Sequence, residues 1–172
     1  PEQNFRLYFC QKRKMADRIE ILNAAQSDIK LTRISFEIVE QFIDEKEIVL
    51  AGIIDRGYDI AVILKKKIAS ISKIKVELLS IKIDKLNPIE CEVVENFKAT
   101  GKNIILVDDV ADSGRTAMYA LKPFLKELPN KIQLAVLVDR KHKKFPVTAD
   151  FVGFQLSTNL QDKIHVEVSS NS

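Results

Sequence analysis

Two adjacent carboxylates, Asp108 and Asp109, stand just ahead of the run Asp112-Ser113-Gly114-Arg115-Thr116. Ionised carboxylates only accept hydrogen bonds, and they take O–H donors well, so a pair of them suits vicinal hydroxyls. The run that follows has the opposite character. Gly114 lets the backbone come close to an anion, and Ser113 and Thr116 add hydroxyl donors. A helix beginning here adds unpaired N–H groups and the positive pole of its dipole. Val110 and Ala111 join the two halves, so one short segment offers hydroxyl acceptors and phosphate donors together. The ligand that matches is a ribose 5-phosphate. The segment contains no GxxxxGK[ST], so it is not a Walker loop.

Two other places share this design. The apolar run "IVLAGII" leads into Asp55-Arg56-Gly57, and "IQLAVLV" leads into Asp139-Arg140. In open α/β sheets ligands bind beyond the carboxyl ends of the strands, near a switch in strand order. Any one of these charged ends could be a cap or a solvated turn, but three of them converging make a site. Backbone amides around Asp55–Gly57, with Arg56, suit a second anion, such as a pyrophosphate on the sugar's first carbon.

These residues need a scaffold, and the chain reads as strand, helix, strand, helix. Apolar spacing predicts a helix over 28–44, capped by Ser27 or Asp28, with Leu31, Ile34, Phe36 and Ile38 as candidates for core or interface. "EIVLAGII", "KIKVELLSIKID", "NIILVDDV" and "KIQLAVLVD" read as strands, the continuous apolar ones buried on both faces. "DRGYDIAVILKKKIAS" reads as a helix with Lys65–Lys67 near its negative pole. "GRTAMYALKPFLKEL" reads as another, kinked or interrupted at Pro123. "KLNPIECEVVENFKATGK" reads as a long loop or weak ribbon, and "ADFVGFQL" and "KIHVEV" as short closing strands. The pattern predicts an α/β fold with a mostly parallel central sheet flanked by helices.

At 172 residues the chain suits one domain, and a net charge of +3 does not announce a nucleic-acid or membrane protein. Cys10 and Cys91 lack metal-like spacing and read as free thiols, which suits a reducing cytoplasm. No apolar run is long enough to span a bilayer, and no apolar core follows the basic Lys12-Arg13-Lys14. Met15 reads as a natural start, which leaves residues 1–14 as an extension or N-terminal arm and 15–172 as a single domain. His142 and His165 lack the paired acid that a general base wants.

"ILVDDVADSGRT" resembles the signature with which type I phosphoribosyltransferases bind 5-phosphoribosyl 1-diphosphate. "AGIIDRGYDIA" and "IQLAVLVDRKHKKFPVTADFVGFQL" are similar to segments of the bacterial pyrimidine operon attenuator proteins, which also act as uracil phosphoribosyltransferases. The resemblance implies the type I fold with a small hood or loop region. It implies transfer of ribose 5-phosphate to a nucleobase, uracil first and a purine second. By the same resemblance Asp108 and Asp109 bind the ribose hydroxyls and favour a positively charged sugar in the transition state. Val110 to Thr116 (Val110, Ala111, Asp112, Ser113, Gly114, Arg115, Thr116) hold the 5-phosphate. Asp55, Arg56 and Gly57 hold pyrophosphate in a loop where a cis peptide is common. Arg140 lines the substrate site, Phe154 stacks near the base, and backbone around Gln155 and Leu156 reads its edge. Mg²⁺ is expected on the diphosphate, with no direct protein ligand.

Two departures stand out: the segment after the base-binding glycine differs from the family's and reads "FQLSTN", and the closing loop lacks an arginine. The attenuator proteins carry an arginine in the closing-loop region that here reads "VELLSIKIDKLNPIECE", with Lys82 and Lys85 instead. Lys82 is the candidate for neutralising the leaving group, with Lys85 beside it; solvated lysines are the alternative. The resemblance also implies a homodimer or larger assembly. It raises RNA as a further partner, through Arg140, Lys141, Lys143, Lys144 and Lys65–Lys67, although a solvated basic face explains these lysines equally well.

Overall fold

The structure is a computed structural model and describes residues 3–11, 18–157 and 162–170. Met15 and the basic run at residues 12–14 lie outside the described residues. The elements are β1 (Gln3–Gln11), β2 (Arg18–Leu22), α1 (Ala24–Gln41), β3 (Glu47–Ile53), α2 (Arg56–Ile71), β4 (Lys75–Ile83), β5 (Cys91–Val93), β6 (Asn103–Ala111), α3 (Arg115–Ala120), β7 (Lys131–Arg140), β8 (Phe151–Leu156) and β9 (Asp162–Ser170).

Six strands form the central sheet in the order β5-β4-β3-β6-β7-β8. All neighbours are parallel except β5, which runs antiparallel to β4 at one edge. The middle strands are buried almost throughout, because helices cover both faces. On one face Leu31, Ile34 and Ile38 of α1 and Ile60, Leu64 and Ile68 of α2 pack over Leu50, Ile105 and Leu137. On the other, Ala117, Ala120 and Phe124 pack over Val49, Ala51, Ile104 and Leu106. The chain leaves β3 toward β4 on one side and returns as β6 on the other. The switch in strand order therefore falls between β3 and β6, where the sequence places its charged strand ends.

A second, smaller sheet has the order β2-β1-β9, antiparallel throughout. β1, drawn from the segment read as an extension or arm, is its central strand. β9 is longer than the closing strand expected from "KIHVEV", and it belongs to this sheet rather than the central one.

Local chemistry moves several boundaries. α1 begins at Ala24, earlier than expected, because Asn23 caps it instead of Ser27 or Asp28. The Asn23 Oδ1 accepts from the Gln26 N–H at 2.9 Å, and Gln26 Oε1 accepts from the Asn23 N–H at 3.0 Å, a reciprocal capping box. Leu31, Ile34 and Ile38 are core, whereas Phe36 is 54% exposed. The Arg33 guanidinium donates to the carbonyls of Val152 and Gly153 and so ties α1 to β8. α2 runs to Ile71, past the three lysines, so none of them lies in its last turn; Lys67 instead pairs with Asp28 at 2.7 Å across to α1. α3 stops at Ala120. A turn and a short 3-10 segment, Phe124–Lys126, replace the rest of the expected helix, headed by Pro123, which has no N–H to donate. Among the described residues no helix is long and apolar enough to cross a membrane.

Candidate active site

β6 carries Asp108 and Asp109 to the switch point, where they are only 4% and 7% exposed. Main-chain donors orient both. Asp108 Oδ1 accepts from the Asp109 N–H, and Asp109 Oδ1 from the Val110 N–H, each at 2.9 Å. Two cations close on the pair. Lys85 Nζ lies 3.1 Å from Asp108 Oδ1 and 3.6 Å from Asp109 Oδ1, and Arg56 Nη1 lies 3.5 Å from Asp109 Oδ2. Burial pushes the Asp108 carboxyl up to about 7, with the neighbouring Asp109 charge adding to the rise and Lys85 opposing it. Burial acts to lower Lys85, but the two carboxylates outweigh it and hold its ammonium above the ordinary range.

The first loop reaches this place through Gly57. A Cβ there would meet the Val107 carbonyl oxygen at 2.5 Å and Asp108 Cα at 3.0 Å. Only glycine lets the start of α2 lie so close to β6. The Ile54–Asp55 peptide is cis. Asp55 is exposed and makes no side-chain cap to α2.

Beyond β6, Asp112 to Thr116 form a tight turn into α3. Gly114 has φ +81°, the left-handed region that side chains disfavour. The Ser113 carbonyl accepts from the Lys144 N–H at 2.9 Å and the Phe145 N–H at 3.1 Å, which pins the turn to the loop after β7. Ser113 Oγ accepts from the Arg115 N–H at 3.3 Å. Arg140, nearly buried, donates to Asp112 Oδ1 at 2.8 Å. A cleft of about 430 Å³ opens here, lined by Asp112, Ser113, Arg115, Arg140, His142, Lys144 and Phe145. Because α3 has six residues, its dipole is weaker than the expected longer helix would give. The donors the turn presents are therefore its main-chain N–H groups, the hydroxyls and Arg115.

The structure thus brings together Arg56, Gly57, Asp108, Asp109, the turn from Val110 to Thr116, and Arg140. Lys82 is not among them. It sits directly across from Glu92 in the β4–β5 register and pairs with it at 3.7 Å, both side chains about 70% exposed (71% and 69%). Phe154, Gln155 and Leu156 lie on β8 opposite Val138, Asp139 and Arg140; Phe154 and Leu156 pack against the core under α1 and α2, as does Val110. Lys143 reads in the sequence as one residue of a basic run, yet its ammonium holds the Asp139 carboxylate and donates to the Ala111 carbonyl at 2.6 Å. The signal available was its spacing of four residues from Asp139.

Among the described residues no cluster of three or more His, Cys, Asp or Glu forms a cage for a metal ion. The buried acid pair does present adjacent hard oxygen donors. That set fits Mg²⁺, which keeps waters and takes few carboxylates when it rides on a phosphorylated ligand.

Hydroxyl acceptors beside anion donors, at the switch point of a parallel sheet, are the arrangement of a type I phosphoribosyltransferase. The phosphoribosyl transferase domain family matches residues 17–172, and this chain belongs to that family and to its reaction class. It is 40% identical over 149 residues to the bifunctional protein PyrR of Clostridium novyi, covering 81% of this chain and 84% of that protein. The bifunctional protein PyrR of Actinobacillus pleuropneumoniae serotype 5b is 34% identical over 156 residues, with 85% and 87% covered. The fold matches a hypoxanthine-guanine phosphoribosyltransferase from Bacillus anthracis with TM-score 0.67 at 24% identity, over 80% of this chain and 81% of that one. It also matches the hypoxanthine phosphoribosyltransferase of Trypanosoma cruzi in complex with the product IMP, with TM-score 0.67 at 15% identity, over 77% and 72%.

Proposed function

We propose that this enzyme transfers ribose 5-phosphate from 5-phosphoribosyl 1-diphosphate to uracil and releases pyrophosphate. The observation that carries the reading is that Asp108 lines one pocket with the turn from Val110 to Thr116, with Arg56 of the neighbouring loop reaching Asp109. Uracil rests on the segments similar to the attenuator proteins; a purine is the second choice of base.

In this reading Asp112 to Thr116 seat the 5-phosphate on main-chain N–H groups, the Ser113 and Thr116 hydroxyls and Arg115. Asp108 and Asp109 accept hydrogen bonds from the ribose hydroxyls. As the bond from the sugar's first carbon to pyrophosphate lengthens, positive charge grows on the ribose, and the fixed carboxylates favour it. Arg56 and the amides near Gly57 hold the departing pyrophosphate, and a ring nitrogen of the base attacks the carbon it leaves. Neutralising charge on the diphosphate is the chemistry that a bound Mg²⁺ would supply; the resemblance implies no direct protein ligand, and the acid pair is the place where this chain would offer one. Phe154, Gln155 and Leu156 are the proposed base side of the site, reached across the ends of β7 and β8. The Trypanosoma cruzi protein, whose bound product is a nucleoside 5′-monophosphate, supports a 5-phosphate as the anchoring group.

The test is direct. The protein, incubated with labelled 5-phosphoribosyl 1-diphosphate, Mg²⁺ and each base in turn, should form uridine 5′-monophosphate and pyrophosphate. Formation of no nucleotide from any base overturns the reading.

A second activity has its own support: Lys141, His142 and Lys144 are exposed beside the turn, and the PyrR relatives are named bifunctional. A nucleotide in the turn would bear on that surface through the Ser113 contacts to Lys144 and Phe145. RNA is the partner in this reading. Salt-dependent RNA binding that responds to a uridine nucleotide supports it, and no binding at low salt removes it. A homodimer in the cytoplasm is the accompanying expectation, checked by sedimentation.

A further inference from the structure

Lys85 belongs to no strand or helix. It follows β4 on the segment that turns back into β5, and its position there is set by local bonds. Asp84 Oδ1 accepts from the Leu86 N–H at 2.8 Å, an Asx-type turn with Lys85 at its centre. The base of the same ribbon is closed by Glu95, which accepts from the Ser80 hydroxyl at 2.7 Å and the Ser80 N–H at 2.8 Å. The Val94 N–H adds a bond to the Ser80 carbonyl at 3.0 Å.

From this held position the ammonium reaches both buried carboxylates of β6. Ion pairs between two exposed groups contribute little, but this one differs, because the carboxylate side chains are 5% and 9% exposed. Asp108 Oδ1 already accepts from the Asp109 N–H at 2.9 Å. With Lys85 at 3.1 Å both of its lone-pair directions are spent. No acceptor capacity remains on that oxygen for a ligand, and a positive charge sits against both carboxylates.

We propose that Lys85 is the resident counter-cation of the Asp108–Asp109 pair and must be displaced before a divalent cation can enter. The proposal rests on the site reading given above. It assigns Lys85 a gating role: together with Arg56 it balances the charge of the pair and ties the segment after β4 to β6, and an entering cation would exchange with that tie.

Mn²⁺ alone, titrated into the full chain without any substrate and followed by electron paramagnetic resonance, tests this. Lys85→Met and, as a second variant against misfolding, Lys85→Gln should each bind Mn²⁺ at least about tenfold more tightly than the parent chain, because a like charge a few ångströms from the ion is gone. Adding Asp108→Asn to Lys85→Met should abolish the gain. Lys126→Met, which removes the same charge elsewhere, should not produce it. Equal Mn²⁺ affinity in the parent chain and both Lys85 variants, or a gain that survives Asp108→Asn, overturns the proposal. Uridine 5′-monophosphate binding to the parent chain is measured separately by calorimetry. Binding there with no effect at Lys85 sinks the gate alone, whereas a Mn²⁺ gain with no nucleotide or 5-phosphoribosyl 1-diphosphate binding sinks the transferase reading alone.

Discussion

The two halves of the site are built on different principles. The turn after β6 is made of backbone: Gly114 in the left-handed region, and the Ser113 carbonyl pinned by two N–H groups from the loop after β7. Its donors are set before any ligand comes, so binding there costs little reorganisation. The acid pair a few residues earlier is oriented by main-chain N–H groups as well, but its charge is balanced by the side chains of Lys85 and Arg56, with which a ligand has to exchange. One half is a fixed socket, and the other is a self-neutralised pair that becomes available only when its own cations move. That pairing explains how two adjacent carboxylates can be buried side by side: paired charges are tolerated where a lone one is not.

Breaking the exchangeable half should have the largest effect. Asp108→Asn keeps the shape and removes the charge that favours a positive ribose. A drop of about 10²–10³-fold in kcat/KM is expected, the size seen when one preorganised electrostatic group is lost. The same variant tests the pair's cost to the fold. The Asp108 carboxyl titrates near 7 in the folded chain, raised by burial and then by Asp109, against 3.8 for the unperturbed group. A raised acid holds its proton more tightly folded than unfolded. Its contribution to stability is therefore complete below about pH 4 and lost as pH rises through 7. Unfolding by urea at pH 5 and pH 8 should show the parent chain losing stability across that range, on the order of a few kcal/mol at most, and Asp108→Asn losing much less. A parent chain as stable at pH 8 as at pH 5 would show that Lys85 already compensates the charge fully.

The fixed half should respond differently. Gly114→Ala puts a Cβ 3.3 Å from the Phe145 carbonyl oxygen at φ +81°, a backbone conformation that costs an L-residue roughly 1–2 kcal/mol. Loss of stability by about that amount is expected, together with a rise in KM for 5-phosphoribosyl 1-diphosphate and a smaller change in kcat. A change confined to kcat would mean that the turn does not hold the ground-state phosphate.

The sequence showed the fixed half more clearly than the exchangeable one, and the reason is range. The apolar strands, the switch point and the Asp112–Thr116 turn are coded within short segments, where residue type and spacing speak directly. The three-stranded sheet escaped because β1 and β9 lie at opposite ends of the chain and meet only through long-range pairing. α1 was started too late because Ser27 and Asp28 are as good a cap by type as Asn23; only the reciprocal Asn23–Gln26 pair separates them. The helix after Gly114 was drawn too long although Pro123 was visible, because apolar spacing on both sides of it still looked helical. Lys82 and Lys85 were inseparable for a related reason. Which lysine turns inward depends on where β4 ends and which residue of β5 it faces, and neither boundary is marked in "LSIKIDKLNPIECE".

That last ambiguity yields the smallest expected effect and the sharpest separation of the two lysines. Lys82 faces Glu92 directly across the antiparallel pair, with both side chains largely in water. Such a pair contributes about 0.2–1 kcal/mol at low salt and less as salt rises. Lys82→Ala should therefore shift the unfolding midpoint only slightly, with the shift fading in high salt, and should leave kcat/KM within about twofold of the parent, because its ammonium touches neither the acid pair nor the turn. A large fall in kcat with unchanged stability would mean that the ribbon rotates during the reaction and brings Lys82, not Lys85, to the leaving group.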